Sequence, residues 1–364
     1  MAGPDRVLMA RHVLRATTSA ALLAAFVAAS PIALAAQDRM PPMAPMAKTD
    51  SVGKRSQARQ MHDLMGTPLP FGIMIGSAEQ WMVGYQGMVG TFDALLEGRE
   101  RVTTANALIR FPAVPTNMTM QMHMGMLMYA PTARVTAMVM LPYTAMSMSE
   151  RHRDGTTSTE KTSGIGDVEV RGLYSLTSAN AVAHRFLATF GVGVPTGSVN
   201  QHDPDGDRME YPMQSGSGTY SLLPGLLYLG QVMPWSWGAQ VHSTVRIGQN
   251  EHAYRLGDRV EMRLWLAREL TPLLSVSVAA GDESWGNIRG ADVSLDPLDE
   301  PTKDPTRHGG TRLNTLLGLV IHPQHGVFKG QQLLVEADVP YRQSLNGPQL
   351  KRSYMLHAAL QWAF

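Results

Sequence analysis

The chain has 364 residues, of which 17% are charged and 44% are hydrophobic, and its formal net charge is +1 at pH 7. The charged fraction is below the ~25% of ordinary soluble domains, and the small net charge offers no basic excess for binding nucleic acid. Because there is no cysteine, disulfides, thiolate metal sites, a cysteine nucleophile and a lipid-modified N-terminal cysteine are excluded.

Residues 1–35 have the three parts of a secretory signal peptide. Three arginines supply the positive region, residues 20–29 form a short apolar region, and Ala33-Leu34-Ala35 provides a small-x-small cleavage pattern. About ten apolar residues are too few to cross a hydrocarbon core of about 30 Å, so cleavage after Ala35 is favoured over a membrane anchor. Cleavage removes three arginines and one aspartate, which changes the net charge from +1 to −1.

Residues 36–79 predict a disordered periplasmic tail and lead-in, because they are rich in Met and Pro and show no hydrophobic period. Met40, Met43 and Met46 recur at three-residue spacing, which resembles the methionine motifs of periplasmic copper proteins. No later stretch approaches eighteen consecutive apolar residues, so an exported chain would stay in a membrane only as a β-barrel.

Residues 80–364 predict an all-β fold, an antiparallel transmembrane β-barrel of about 12 strands, with 10 to 14 tolerated. Apolar and polar residues alternate in stretches of 11 to 16 residues, which suits tilted membrane strands with some overhang. The predicted strands are 80–92, 117–130, 133–148, 164–177, 182–195, 216–230, 235–248, 258–270, 273–286, 311–323, 329–342 and 350–364.

The connections between these strands alternate in length. Those after even-numbered strands are short, whereas those after odd-numbered strands are mostly long and polar, as in 151–163, 198–215 and 286–310. Outer-membrane barrels have short periplasmic turns and long external loops, whereas a soluble β-sandwich has no reason to alternate in this way. The pattern therefore predicts an outer-membrane location with both termini in the periplasm. Outer-membrane lipid, lipopolysaccharide and the assembly machinery are then the expected partners.

Successive side chains of a strand point to opposite faces, so each strand has a lipid face and a lumen face. The lumen is predicted to carry charges of both signs, which can pair across strands and leave a narrow channel at most. The predicted lumen-lining charges are Asp167, Glu169, Arg171, Arg246, Glu261, Arg263, Glu336 and Asp338.

The last predicted strand ends on an aromatic residue. Its apolar side chains fall on one face, and this arrangement resembles the C-terminal assembly signal of bacterial outer-membrane proteins. The residues concerned are Tyr354, Leu356, Leu360, Trp362 and Phe364.

Several segments resemble an outer-membrane protein family. They are GIGDV at 164–168, GVGVPTG at 191–197, SGSGTYSLLPGLLYLG at 215–230, VPY at 339–341 and LNGPQL at 345–350. Together they resemble the family named for the MetA pathway of phenol degradation. The resemblance implies a barrel that transports small molecules, and it transfers no catalytic residue.

Methionine is concentrated in residues 61–148, which hold fifteen of the 25 in the chain. Six of them form a ladder at every second position from Met118 to Met128. The opposite face of that strand includes Gln121 and His123, which would be costly to place in hydrocarbon. The ladder is therefore predicted to face lipid, with His123 pointing inward.

Other methionines are predicted to face the lumen. Because the other apolar side chains of strand 133–148 occupy its lipid face, its methionines fall on the lumen face. The first strand adds Met82 and Met88 by the same reasoning. Thioethers are soft ligands that suit Cu(I) and Ag(I), whereas the alternative is that these methionines are flexible apolar packing. The candidate metal ligands are Met82, Met88, His123, Met138, Met140, Met146 and Met148, with Met40, Met43 and Met46 of the tail.

No other cluster supports catalysis. Ser149, His152 and Asp154 have no flanking motif, and the acidic stretch 292–304 is interpreted as a solvated external loop. The chain is therefore expected not to be an enzyme. It is expected to need no cofactor, unless it is a metal-handling protein that binds Cu(I) or Ag(I). The predicted function is a channel for small molecules, among them hydrophobic or aromatic compounds. The alternatives are a Cu(I) or Ag(I) handling protein and a structural barrel with a plugged lumen.

Overall fold

The computed structural model describes residues 78–177, 183–323 and 331–363. Residues 1–77 lie outside these ranges, as does Phe364. The signal peptide, the methionine tail and the terminal aromatic residue therefore stay predictions.

Strands make up most of the described chain. They are β1 (Gln80–Gly98), β2 (Glu100–Val102), β3 (Ala113–Thr132), β4 (Val135–His152), β5 (Thr157–Ile165), β6 (Val168–Ser175), β7 (His184–Val194), β8 (Tyr220–Leu222), β9 (Gly225–Val232), β10 (Trp235–Ile247), β11 (Tyr254–Arg255), β12 (Arg259–Thr271), β13 (Leu274–Trp285), β14 (Arg289–Gly290), β15 (Gly310–Ile321) and β16 (Gln331–Ala363). The helix α1 (Thr104–Arg110) and the short 3₁₀ helices Tyr211–Met213, Pro301–Lys303 and Pro305–Arg307 complete the set. Among the described residues, no helix has the length and apolar character needed to cross a membrane.

The main sheet closes on itself as an antiparallel barrel. Its circuit runs β1, β3, β4, β6, β7, β9, β10, β12, β13, β15 and β16, and β16 pairs with β1 again. The two partners of β16 show that it doubles back: Leu345 is opposite Gly310 of β15 and also Gly98 of β1. Residues 331–345 therefore cross the wall once and the remainder crosses it again, which gives twelve crossings. This confirms the predicted all-β barrel of about twelve strands.

The two ends of the barrel differ. At one end, the short-turn end, neighbouring strands are joined by two-residue links at 133–134, 233–234 and 272–273. At the other, the long-loop end, residues 195–219 and 286–309 form long connections that contain the 3₁₀ helices. The pairing of Met82 with Ala363 places both described ends of the barrel at the short-turn end.

A helix that the alternation did not predict lies in the link between β1 and β3. The side chain of Thr103 accepts a hydrogen bond from the backbone N–H of Asn106 at 3.2 Å and so caps the first turn of α1. Ala107 and Phe111 pack with Leu95 of β1. The helix covers the rim of the barrel at the long-loop end.

The outward face carries a belt of exposed apolar and aromatic side chains. On β1 the belt includes Trp81, Val83 and Tyr85, and on β4 its last large member toward the long-loop end is Tyr143. The outward positions of β4 beyond it are small or polar, as Ser147 is. Water does not favour a continuous apolar belt of this kind, whereas hydrocarbon does. The outer parts of β3, β4 and β5 thus project beyond the belt.

Candidate functional site: the barrel lumen

A cavity of about 720 Å³ lies inside the barrel. Its lining has two unlike sides, because β1, β3 and β4 contribute methionine whereas the strands from β6 to β16 contribute most of the charge. Volumes of this size are typical of sites for small molecules.

The methionine wall is the inward face of β1, β3 and β4. Cross-strand register places Met118 opposite Met148, Met120 opposite Met146, Met126 opposite Met140, and Met128 opposite both Met82 and Met138. Directly opposite residues have Cβ atoms about 4.5–5.5 Å apart, so the thioethers form adjacent rows. The wall consists of Met82, Met88, Met118, Met120, Met122, Met124, Met126, Met128, Met138, Met140, Met146 and Met148.

The predicted orientation of the ladder was wrong. Met118 to Met128 point into the barrel, whereas Asn117, Gln121 and His123 are exposed on the outside. His123 is therefore not an inward neighbour of the methionines, and its Nδ1 is 2.6 Å from the hydroxyl of Tyr85. The polarity argument failed because it treated all of β3 as lying in hydrocarbon. Gln121 and Asn117 lie opposite Ala145 and Ser149 of β4, at and beyond the edge of the belt.

The ion-paired wall faces the methionine wall across the lumen. The structure places all eight predicted lumen charges on the cavity lining, together with Arg259, Glu283, Arg312 and Arg352, which had not been singled out. Strand alternation could have found Arg312, which occupies an inward position of its predicted strand. It could not have found Arg352, which alternates with the outward Tyr354 and is turned inward by a register shift between them.

Most charges on this wall have a partner. Arg312 is 2.6 Å from Glu283, Arg352 is 2.9 Å from Asp338, and Arg263 pairs with Glu336 through two hydrogen bonds. Since paired charges keep their hydrogen bonds when they leave water, this wall is polar without a large net charge.

An apolar floor fills the lumen toward the short-turn end. Trp265 of β12 lies six strands from β3 in either direction around the circuit, yet it belongs to the same buried cluster as Met126 and Met128. The cluster therefore crosses the lumen. Its buried members are Met82, Met126, Met128, Ala130, Met138, Met140, Leu173, Leu187, Leu227, Leu229, Trp265, Ala279 and Leu316.

A roof partly covers the long-loop end. Asp167 holds the ends of segment 195–219, accepting hydrogen bonds from the backbone N–H groups of Gly197 at 3.1 Å and Ser217 at 3.0 Å. Gly197 and Gly216 pass so closely that a Cβ on Gly216 would lie 2.3 Å from the backbone of Gly197. These contacts account for Asp167, Gly197 and Gly216 in the motifs at 164–168, 191–197 and 215–230.

The same segment reaches the methionine wall. Met209 and Met213 pack with Met118, Met146 and Met148 in one buried cluster. The roof thus extends the thioether surface.

The other predicted residues are placed as follows. Tyr354, Leu356, Leu360 and Trp362 are exposed on the outward face of β16, which is the face predicted for them; their role as an assembly signal stays a prediction. His152 bonds to Ser158 at 2.9 Å, and Oδ1 of Asp154 accepts hydrogen bonds from the backbone N–H and the hydroxyl of Thr156. The structure therefore does not assemble a triad from Ser149, His152 and Asp154.

Comparisons with solved structures support the fold. An outer-membrane channel from Pseudomonas putida F1 superposes with a TM-score of 0.56 at 15% sequence identity, covering 82% of this chain and all of that chain. The toluene transporter TodX of P. putida (TM-score 0.37, 9% identity, 83% and 92% covered) and the translocator domain of the autotransporter NalP from Neisseria meningitidis (0.40, 12%, 86% and 96%) are less similar. No protein-family model and no curated protein sequence matches the chain. The fold is that of outer-membrane β-barrels.

Proposed function

We propose that this protein is an outer-membrane channel that passes small molecules with an apolar body and a polar or charged group. The observation that carries the proposal is the cavity between the methionine wall and the ion-paired wall. The long-loop end would face outward and both termini the periplasm, in keeping with the length pattern of the connections. A member of the family named for the MetA pathway would fit this role.

The two walls suit different parts of one molecule. Thioethers are polarisable and flexible, and they make favourable contacts with aromatic rings. Arginine and carboxylate groups opposite can exchange a hydrogen bond with the polar group of the solute. Passage also requires the apolar floor to open, and flexible methionine side chains make such a rearrangement inexpensive compared with moving backbone.

Swelling of liposomes that contain the purified protein tests this proposal. Benzenesulfonate and isethionate carry the same permanent charge, which prevents either from crossing lipid unaided, and isethionate is the smaller. A simple sieve would admit isethionate faster, whereas we expect benzenesulfonate to enter faster. Swelling no faster than in empty liposomes would reject the channel and favour the plugged structural barrel.

A second candidate function is handling of Cu(I) or Ag(I), and it is favoured by the adjacent thioethers of the methionine wall. Soft monovalent ions prefer such ligands, and rows of them would allow an ion to pass from one site to the next.

Silver titration followed by calorimetry tests the metal function. Met40, Met43 and Met46 are replaced by leucine throughout, so that the tail cannot contribute. Replacing Met120 and Met122 as well should lower the number of Ag(I) ions bound, and leucine keeps nearly the same volume. The matched control is M233L, which removes a methionine exposed in the turn after β9. The metal function would be rejected if the variant without Met120 and Met122 bound as many Ag(I) ions as M233L. It would also be rejected if the protein with only the tail methionines replaced bound none.

A further inference from the structure

Four glutamates converge at the long-loop end, outside the apolar belt. Glu150 belongs to β4, Glu160 to β5, Glu210 to segment 195–219 and Glu300 to segment 286–309. Carboxylate oxygens of the first three lie within 4.8 Å of one another, and Glu300 interacts directly with Glu150. Residues that are far apart in sequence are thus brought to one point by four separate elements.

The cluster is withdrawn from water. Glu150 and Glu210 are each 1% exposed and Glu300 is 5% exposed. Lys303 lies 3.0 Å from Glu300 and 2.7 Å from Asp299, so it compensates the edge of the cluster rather than its centre.

An independent observation points to a ligand at the centre. One carboxylate oxygen on each of Glu150, Glu160 and Glu210 is buried and has no hydrogen-bond partner among the described residues. A buried carboxylate oxygen without a partner is costly, and here each of the three clustered glutamates has one. Burial, reinforced by the neighbouring carboxylates, raises the pKa of both Glu150 and Glu210. Positive charge supplied at this point would remove the penalty.

We propose that Glu150, Glu160, Glu210 and Glu300 bind one divalent cation, Ca²⁺ in preference to Mg²⁺. An all-carboxylate oxygen set suits hard cations rather than zinc or copper. Ca²⁺ tolerates irregular coordination at 2.3–2.6 Å, whereas Mg²⁺ demands a near-ideal octahedron. Ligands from two strands and two loops favour the more tolerant ion.

The site has a structural consequence for the lumen. Glu210 stands between Met209 and Met213, which pack on the methionine wall, and Glu160 lies opposite Met148 in the β4–β5 register. Bound Ca²⁺ therefore ties segment 195–219 to the wall and holds the roof closed. The proposed cation site does not depend on the protein being a channel.

Calorimetric titration of the purified full mature protein with CaCl₂ and with MgCl₂, after treatment with chelator, tests the proposal. We expect Ca²⁺ to bind more tightly than Mg²⁺, and E150Q and E210Q each to weaken Ca²⁺ binding by about tenfold or more, since affinity follows the number of charged ligands. The matched control is D205N, which removes the same charge from an exposed position of the same segment; it should bind Ca²⁺ like the parent.

Thermal unfolding of the same variants guards against misfolding. In chelator, E150Q should be at least as stable as the parent, because the amide replaces a carboxylate that is buried among three others. Added Ca²⁺ should raise the unfolding midpoint of the parent and not that of E150Q. The proposal is overturned if the parent binds no Ca²⁺, if E150Q binds it as tightly as the parent, or if D205N loses binding equally.

Discussion

Replacing Trp265 with alanine should open the floor of the lumen and destabilise the barrel. Trp265 is 2% exposed, and a buried indole removes about 200 Å² from water. At about 25 cal/mol per Å² this is worth roughly 5 kcal/mol at most, and tryptophan-to-alanine changes in packed interiors cost about 3–5 kcal/mol. We expect the free energy of unfolding to fall by about 3 kcal/mol, the lower end of that range, because water can enter the vacated space from the cavity.

The measurements are urea unfolding in lipid vesicles and the rate of benzenesulfonate entry. The W265A variant should unfold at lower urea and admit solute faster than the parent. The control is W237A, since Trp237 lies on the neighbouring strand and bonds to the hydroxyl of Tyr228 at 3.3 Å rather than packing in the floor. It should lose some stability without faster entry. Unchanged stability and entry in W265A would refute the view that the apolar cluster closes the lumen.

Three further predictions follow from contacts at the roof and on the ion-paired wall. D167N should speed hydrogen exchange at Gly197 and Ser217, because hydrogen bonds to a charged acceptor are each worth about 1.5–3 kcal/mol; D205N provides the comparison. Replacing Arg352 with methionine should destabilise the barrel by about 3–5 kcal/mol in urea unfolding, because its two carboxylate partners are left buried without it. Burial lowers the pKa of His308 to about 4, which means that charging it is disfavoured in the folded loop. The protection of residues 300–309 against exchange should therefore fall as pH drops from about 6.5 towards 4, and H308Q should lessen that fall.

The barrel could be predicted because its two main signals are local. Alternation along each strand depends only on which side faces lipid, and the lengths of the connections can be read directly from the sequence. The two crossings made by β16 were predicted as separate strands, 329–342 and 350–364. The helix α1 was missed because it is seven residues long and covers the rim instead of following the alternation.

The lumen was predicted in part. Charged residues on inward positions were placed on the cavity because an unpaired charge in hydrocarbon is expensive. The methionine ladder was misplaced because both faces of β3 were judged as though the whole strand spanned the membrane. β3 has 20 residues, whereas about 9–11 are enough to cross, so the polar residues near its outer end never meet hydrocarbon. The glutamate cluster could not be foreseen, since its members come from four elements and meet only in the folded barrel.

The central claim is that solutes pass along the methionine wall, and the absence of native cysteine allows a direct test. M122C places a thiol on the cavity lining, whereas Q121C places one on the exposed outer face of the same strand. After treatment with a membrane-impermeant, negatively charged thiosulfonate, benzenesulfonate entry should fall in M122C and stay unchanged in Q121C. Unimpaired entry through fully labelled M122C, or a block only in Q121C, would contradict the claim.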